Sequence, residues 1–597
     1  MTESADIEAI VEGQTVPMMF LETVAAHGDL VALRHKDDDG AWHETTFTEF
    51  ADQVARAAAG LAALGLGPGD RMVMMIRNRP EFHVLDAAAL FLGATPVSIY
   101  NSSSSEQIEY LASDASAKLA VVEDAGFHQS FSKAQPSIAS LEKVGVISDG
   151  VDADFSYGDL LAHDPIDLNE AAQTANTDDL ATLIYTSGTT GPSKGVMLDH
   201  ANLCWTVECL RRAFDLDEFA GKRVVSYLPM AHIAERVVSH YSMMFLGYEV
   251  SCCPDPTQFA VYAGEVKPNI MFGVPRVWEK LYSGIHAALA ADSEKAQKVA
   301  EAVEAAGPIR EKMTWGTATP DEIETYEFLD AVAFSTIREL VGLDQMEAAI
   351  TGAAPIPAEM LSWFRTIGVP LSEIYGLSET SGPMTWAPYK VKPGYVGPAC
   401  PGVEVKLDVD GEVMCRGGNV FRGYLNQPEK TAEVLDDEGW FRSGDIGELD
   451  EDGYLKIVDR KKELIITAGG KNLSPSNLEA ALKMIPLVGQ AVAIGDQRPF
   501  VSALICLDPD AAGTWAAAHG LEGADLHQLA ENPEVIAEIE AALPAAMEGF
   551  SNAERVKKIK VLGDEWLPDT DMLTPTSKLK RRGVHAHYAD EIEALYA

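Results

Sequence analysis

Between Phe47 and Glu123 the chain alternates two periodicities, and that alternation restricts its fold more than any other feature. Apolar residues at 47, 50, 54, 58, 61 and 64 recur every three or four positions, the repeat of one helix face. The turn Leu66–Asp70 (LGPGD) ends that helix, and Met72–Ile76 follows as a continuous apolar run, the pattern of a strand buried on both faces. A helical stretch over Glu81–Leu92, a strand at Pro96–Tyr100, a helix from Glu106 and a strand at Leu119–Glu123 continue the scheme. Strands separated by helices are joined by crossovers, so the expectation is an α/β fold with largely parallel sheets covered on both faces. At 597 residues the chain is longer than one ordinary domain.

A second constraint is chemical. Tyr185–Met197 reads YTSGTTGPSKGVM and sets Thr186, Ser187, Thr189, Thr190 and Ser193 among Gly188, Gly191 and Gly195, with Lys194 beside them. Glycine lets successive backbone N–H groups turn toward one anion, the hydroxyls add donors, and lysine adds a mobile charge suited to phosphate oxygens. The apolar run Ala181–Tyr185 leads in as a buried strand. The Walker A pattern does not describe this loop. Ser193 stands where its second glycine belongs, and Gly195 where its Ser/Thr belongs. Composition alone also fits a plain surface loop, so its meaning depends on what lies downstream.

Charge excludes one partner class. With 46 basic and 91 acidic residues the net charge is −45, the wrong sign for nucleic acid. Between Arg555 and Arg582 the balance is reversed, with eight Lys/Arg against four Asp/Glu, which points to an anionic ligand near the C-terminus. The seven cysteines show no C-x-x-C pair and no zinc-ligand spacing, so they read as reduced thiols. The first ten residues, MTESADIEAI, are acidic where a signal peptide is basic. No apolar segment reaches the ~18 residues of a membrane span. A cytoplasmic protein is expected, with peripheral membrane contact left open.

Six further segments follow the loop. They are Ser226–Arg236 (SYLPMAHIAER), Asn269–Lys280 (NIMFGVPRVWEK), Ala349–Ile356 (AITGAAPI), Glu373–Thr380 (EIYGLSET), Gly439–Leu464 (GWFRSGDIGELDEDGYLKIVDRKKEL) and Leu573–Arg582 (LTPTSKLKRR). Together with the loop, and in this order, they resemble the adenylate-forming superfamily of acyl-CoA synthetases, luciferases and peptide-synthetase adenylation domains. The resemblance covers nearly the whole chain.

The resemblance implies a large N-terminal domain of layered, parallel-rich sheets and helices over residues 1–461, and a small mobile C-terminal α+β domain over 462–597, hinged at Lys462. It assigns Thr186, Ser187, Gly188, Thr189, Thr190, Gly191 and Lys194 to the phosphates of ATP. Gly352 and Ala353 lie below the adenine, Glu373 at its amino group, and Tyr375 stacks on it while Gly376 clears space. Asp445 accepts the ribose hydroxyls, and Arg460 also reaches the ribose. Glu379 offers a hard oxygen to Mg²⁺ and Thr380 a hydroxyl to the α-phosphate. Lys578 is the catalytic lysine, and Gly469, Gly470 and Lys471 face the coenzyme A thiol. A lone histidine in apolar surroundings is ordinarily a core residue, but the resemblance sets His232 beside the substrate carboxylate. Met271, Phe272 and Val274, with Trp278, are candidates for an acyl tunnel or simply for core.

The implied activity is ATP-dependent conversion of a fatty acid, of the long-chain type, to its CoA thioester through an acyl-AMP. Fatty acid, ATP and coenzyme A are then the small-molecule partners. Three alternatives stay open: an acyl-AMP ligase serving a carrier protein, a CoA ligase for another acid, and a non-catalytic acyl- or nucleotide-binding regulator on the same fold.

Overall fold

The computed structural model describes residues 3–186, 192–214, 216, 218–466, 472–552, 554–567, 570–574 and 578–597. The alternating segment forms as its periodicity predicts. The helix Phe47–Ala63 starts at Thr46, whose hydroxyl accepts from Glu49 N–H while the Glu49 carboxylate accepts from Thr46 N–H. Its face of Phe47, Phe50, Val54 and Leu61 is fully buried. Strands Arg71–Met75, Thr95–Ser98 and Leu119–Val122 join Lys143–Val146 and Phe155–Ser156 in one all-parallel five-stranded sheet.

Two further sheets are mixed, and the first of them lines the site. One contains Ile270–Gly273, Ala348–Thr351 and Leu371–Leu377 in parallel, closed by the antiparallel strand Gly382–Trp386. The other contains Arg223–Ser226, Glu249–Cys252, Val31–Lys36 and Trp42–Thr46. The strands Leu180–Thr186 and Lys194–Asp199 pair antiparallel across the phosphate-type loop. The expectation of largely parallel sheets stops near residue 400. Beyond it, Glu404–Leu407, Glu412–Arg416, Phe441–Leu449 and Leu455–Arg460 form a wholly antiparallel sheet, in which the first and last pairs are hairpins whose turns, such as the one with Gly411 at φ 83°, are too short to cross over.

The last part of the chain packs its strands Val488–Ile494, Val501–Leu507 and Val556–Leu562 against helices around its own core, which includes Leu478, Leu482, Ile505 and Ile539. All seven cysteines are buried and free. Among the described residues no helix is long and apolar enough to cross a membrane.

Candidate active site

A cleft of about 1760 Å³ opens between the sheet ends and the C-terminal region. At one end the hairpin pairs Thr186 with Lys194, so both residues sit at the mouth of the loop between them. Tyr110 donates to Ser193 O at 2.7 Å and Tyr185 to Asp114 at 2.8 Å, pinning the base of that loop. Ser187, Gly188, Thr189, Thr190 and Gly191 lie outside the described residues, as do Gly469, Gly470 and Lys471. The Lys194 ammonium rests 3.9 Å above the ring of Tyr424, whose hydroxyl donates to Glu379 Oε1 at 2.8 Å. Burial lowers the pKa of Lys194 despite the attraction of Glu379, and Lys430 and Lys462 push the same way as burial.

The strand Leu371–Leu377 carries the next group. Glu373 is buried, and among the described residues it has a single backbone donor, Ile356 N–H at 3.4 Å, and no cation acting on it. Burial therefore raises its pKa to about 8, and the side chain is a neutral acid at pH 7. Ala353 lines the cleft opposite in a left-handed conformation, φ 70°, which costs a non-glycine residue energy. Gly352 lies behind the wall, where an added Cβ would come within 2.9 Å of Ile374. At Gly376 an added Cβ would fall 1.7 Å from Gly382 O. The closely paired strand Gly382–Trp386 thus dictates that glycine in the first place, besides any room it leaves for a ligand.

Tyr375 donates to Asp445 Oδ2 at 2.6 Å. Asp445 is also the cross-strand partner of Arg460, with Oδ1 at 3.4 Å from Arg460 Nε. Burial raises the pKa of Asp445, while Arg460 and the tyrosine hydroxyl oppose it. Thr380 is fully buried, and its hydroxyl is engaged by the backbone of its own turn. It accepts from Leu377 N–H at 3.0 Å and donates to Gly382 O at 2.8 Å. That arrangement fixes the direction of its neighbour Glu379.

His232 caps the short helix Ile233–Glu235, and its Nδ1 accepts from Ala234 N–H at 3.2 Å. Burial and the ammonium of Lys578 lower its pKa to about 3. The ring is therefore neutral, and with Nδ1 occupied as an acceptor its proton resides on Nε2. Beyond it the cleft turns apolar, lined by Ile233, Val237, Val238, Leu246, Ile270 and Phe272. The helix passes through a π-helical stretch, Arg236–Tyr241, so Ser242, five residues after Val237, faces the cleft. Of the expected acyl-tunnel residues, Phe272 alone lines this wall. Successive strand residues face opposite ways, so Met271 packs into the core with Trp278, and Val274 packs against core at the start of the next helix.

Lys578 enters from the C-terminal region. An antiparallel bridge between Leu573 and Leu579 shapes its loop. Thr574 N–H donates to Lys578 O at 2.8 Å, and Lys578 N–H to Thr574 Oγ1 at 3.0 Å. The side chain is half-buried in the cleft, where burial and Arg460 lower its pKa to about 8 against the pull of Asp445, Glu379 and Glu463. Lys462 lies in the turn after the strand Leu455–Arg460, a turn fixed by Lys461 N–H to Gly444 O and Glu463 N–H to Arg460 O, both 2.9 Å.

Among the described residues no group of three or more His, Cys, Asp or Glu could hold a metal by itself. Glu379 presents a carboxylate beside the phosphate-type lysine. That donor set fits Mg²⁺, which takes one or two carboxylates together with substrate phosphates. The cleft's described lining has ten Lys/Arg and ten Asp/Glu, in a chain with roughly two acids per base. Tyr424, Val237, Val238 and Leu246 escaped sequence reasoning. The apolar spacing after His232 was a signal for the last three.

Comparison with known proteins agrees with this geometry. The model of the AMP-binding enzyme family matches residues 20–425, and that of the AMP-binding enzyme C-terminal domain matches 462–597. Long-chain-fatty-acid–CoA ligase FadD15 of Mycobacterium bovis is 36% identical over 602 residues, 98% of this chain and 99% of the relative. Long-chain-fatty-acid–CoA ligase ACSBG2 of Xenopus laevis is 34% identical, covering 98% of this chain and 84% of its own. In fold, the adenylation domain of a carboxylate reductase from Mycobacterium chelonae superposes with a TM-score of 0.76 at 21% identity, over 99% of this chain and 93% of that one. The anthranilate CoA ligase AuaEII, solved with anthranoyl-AMP, gives 0.73 at 19% identity over 98% of each chain. The chain belongs to the AMP-binding, adenylate-forming enzyme family.

Proposed function

We propose that this protein is a fatty acid–CoA ligase, acting on long-chain acids in two steps through an acyl-AMP. A carboxylate is a poor acyl donor because its leaving group would be oxide. Attack of one carboxylate oxygen on the α-phosphorus of ATP expels diphosphate and leaves an acyl-AMP, whose leaving group is a phosphate monoester. The thiol of coenzyme A then adds to the acyl carbon, gives up its proton and expels AMP.

The barrier to the first step is repulsion between anions, so the chain's task is neutralisation and placement. The observation that carries the reading is Lys578, seated in one cleft with His232, Asp445, Arg460 and Glu379. Its ammonium offsets charge on the reacting oxygens. His232 donates Nε2–H toward the acid's carboxylate, and its depressed pKa keeps the ring neutral. Tyr375, Asp445 and Glu373 hold the adenosine, with Thr186, Lys194 and the residues between them at the phosphates. Thr380 serves by aiming Glu379. Glu379 would hold Mg²⁺ together with the substrate phosphates, and the ion would supply further charge neutralisation. The apolar wall around Phe272, Val237 and Leu246 suits an alkyl chain, and the names of the relatives support a long one. The domains divide at 461/462 in this reading, with Lys462 as hinge and Gly469–Lys471 on the coenzyme A side.

The test is AMP release from ATP and Mg²⁺ with acids from about C2 to C20, with and without coenzyme A. Thioester formation that depends on coenzyme A and peaks at long chains is expected. Acyl-AMP that accumulates and ignores coenzyme A would overturn the acceptor, and failure with every fatty acid would overturn the substrate class.

A further inference from the structure

The segment Asn269–Lys280 does more than border the acyl cavity. Its helix, Pro275–Ala290, carries Arg276 and Glu279 in the first turns, and neither lines the cleft. Arg276 Nη2 donates to Asp508 Oδ2 at 2.6 Å, while Nη1 lies 3.5 Å from Glu279 Oε2. The other oxygen of Glu279 accepts from Lys483 Nζ at 2.8 Å. Asp508 and Lys483 belong to the region matched as the C-terminal domain, so four alternating charges bridge the two parts of the chain.

Each member is firmly set. Glu279 is buried. The Oδ1 of Asp508 caps the helix Pro509–Ala518, accepting from Asp510 and Ala511 N–H at 3.1 Å, which aims Oδ2 at the arginine. Met484, next to Lys483, packs against the large-domain core that contains Trp278. A cation in the first turn of a helix works against the helix dipole, so Arg276 does not serve its own helix.

The helix Pro475–Leu482 is gripped at both ends. At its start Asp459 accepts from Ser474 Oγ at 2.7 Å and Ser476 N–H at 3.0 Å. At its end Lys483 meets Glu279. Asp459 lies three residues before Lys462, so that contact is near the proposed hinge, whereas the Arg276–Glu279 contacts are at the far end of the helix. A movement about Lys462 that withdraws Lys578 has to open the far contacts.

We propose that Arg276 and Glu279 are positioning residues which, through Asp508 and Lys483, hold the small domain where Lys578 reaches the cleft. The proposal rests on the two-step reaction proposed above. Its test compares the full-length protein with Arg276→Ala, Arg276→Asp and Arg276→Lys, the last of which keeps the charge and leaves the Asp508 cap intact. Acyl-AMP formation is followed by diphosphate exchange, and thioester formation is followed from supplied acyl-AMP. Arg276→Ala and Arg276→Asp should lose about three- to tenfold in exchange and keep or gain rate in thioester formation, as expected for half-buried charge pairs. Arg276→Lys should keep most of the exchange.

Equal losses in both half-reactions, or as large a loss in Arg276→Lys as in Arg276→Asp, would overturn the proposal. Amide hydrogen exchange at Thr574 and Lys578 reads the placement without turnover. It should quicken in Arg276→Asp and stay near the wild-type rate in Arg276→Lys, and unchanged exchange in Arg276→Asp would also overturn the proposal. Wild-type protein inactive with every acid would count against the proposed reaction instead, and the amide measurement would still decide the latch.

Discussion

Tyr375 and Asp445 come from different sheets, yet the tyrosine hydroxyl donates to the carboxylate across 2.6 Å. The ring expected under adenine and the acceptor expected at the ribose are therefore one mechanical unit. Tyr375→Phe keeps the ring and frees the carboxylate. A hydrogen bond to a charged group is worth about 1.5–3 kcal/mol, so KM for ATP should rise roughly tenfold with kcat little changed. Asp445→Ala should raise it further, by about 100-fold. Steady-state kinetics at saturating acid check both, and a purely kcat effect for Tyr375→Phe would contradict the coupling.

Lys578→Ala removes the ammonium that enters beside His232 and Arg460. Loss of one pre-positioned charge costs about 100- to 1000-fold where charge is being neutralised. Diphosphate exchange should fall by that factor, while thioester formation from supplied acyl-AMP stays within about twofold. Equal loss in both half-reactions would remove the lysine from the first step.

Glu373 predicts a pH effect with a definite sign. Burial raises its pKa from 4.5 to about 8, so the folded chain keeps a proton that the unfolded chain releases across that interval. The stability this contributes is full below pH 4.5 and is lost as pH rises through 8. Glu235, also raised by burial, to about 7, adds a similar slope, so the comparison must be with Glu373→Gln rather than with theory. The Gln variant should lose less thermal stability between about pH 5 and 8 than the wild type. Its KM for ATP should also lack the rise that ionisation of Glu373 brings above about pH 8.

Phe272 and Met271 are neighbours with opposite duties. Phe272→Ala should move the preferred chain length, read from rates with a series of acids. Met271→Ala should leave that preference alone and lower stability by about 2–5 kcal/mol, the usual range for emptying a core site. A shifted preference in Met271→Ala would place the tunnel elsewhere.

Local order was legible where a period or a cap declared it. The spacing over Phe47–Leu64 yields a helix, and the apolar runs after it yield parallel strands, because burial on both faces leaves no other pattern. Motifs located the charged groups for the same reason: Lys578, Asp445, Arg460 and Glu379 are chemically distinctive, and the fold brings them to one cleft. Shape was not legible. Met271 and Val274 stand in the same stretch as Phe272; strand alternation turns Met271 into the core, and the end of the strand at Gly273 takes Val274 off the wall. The need for glycine at 376 comes first from a strand that pairs with it, and Tyr424 becomes visible only when Lys194 is found over its ring. Nothing in the segment Asn269–Lys280 singles out Arg276, because its partner, Asp508, is 232 residues away.

The one-for-one balance of charge in the cleft has a kinetic consequence. ATP, coenzyme A and a fatty carboxylate are all anions, and each must approach a molecule of net charge −45. Far from the surface they meet only repulsion, and the lining cations are felt only within about one Debye length, ~8–10 Å at ordinary ionic strength. Added salt therefore shortens the reach of the hostile far field before it weakens contacts inside. Capture by this enzyme should quicken as salt rises from very low concentration, the reverse of a protein that draws its substrates in.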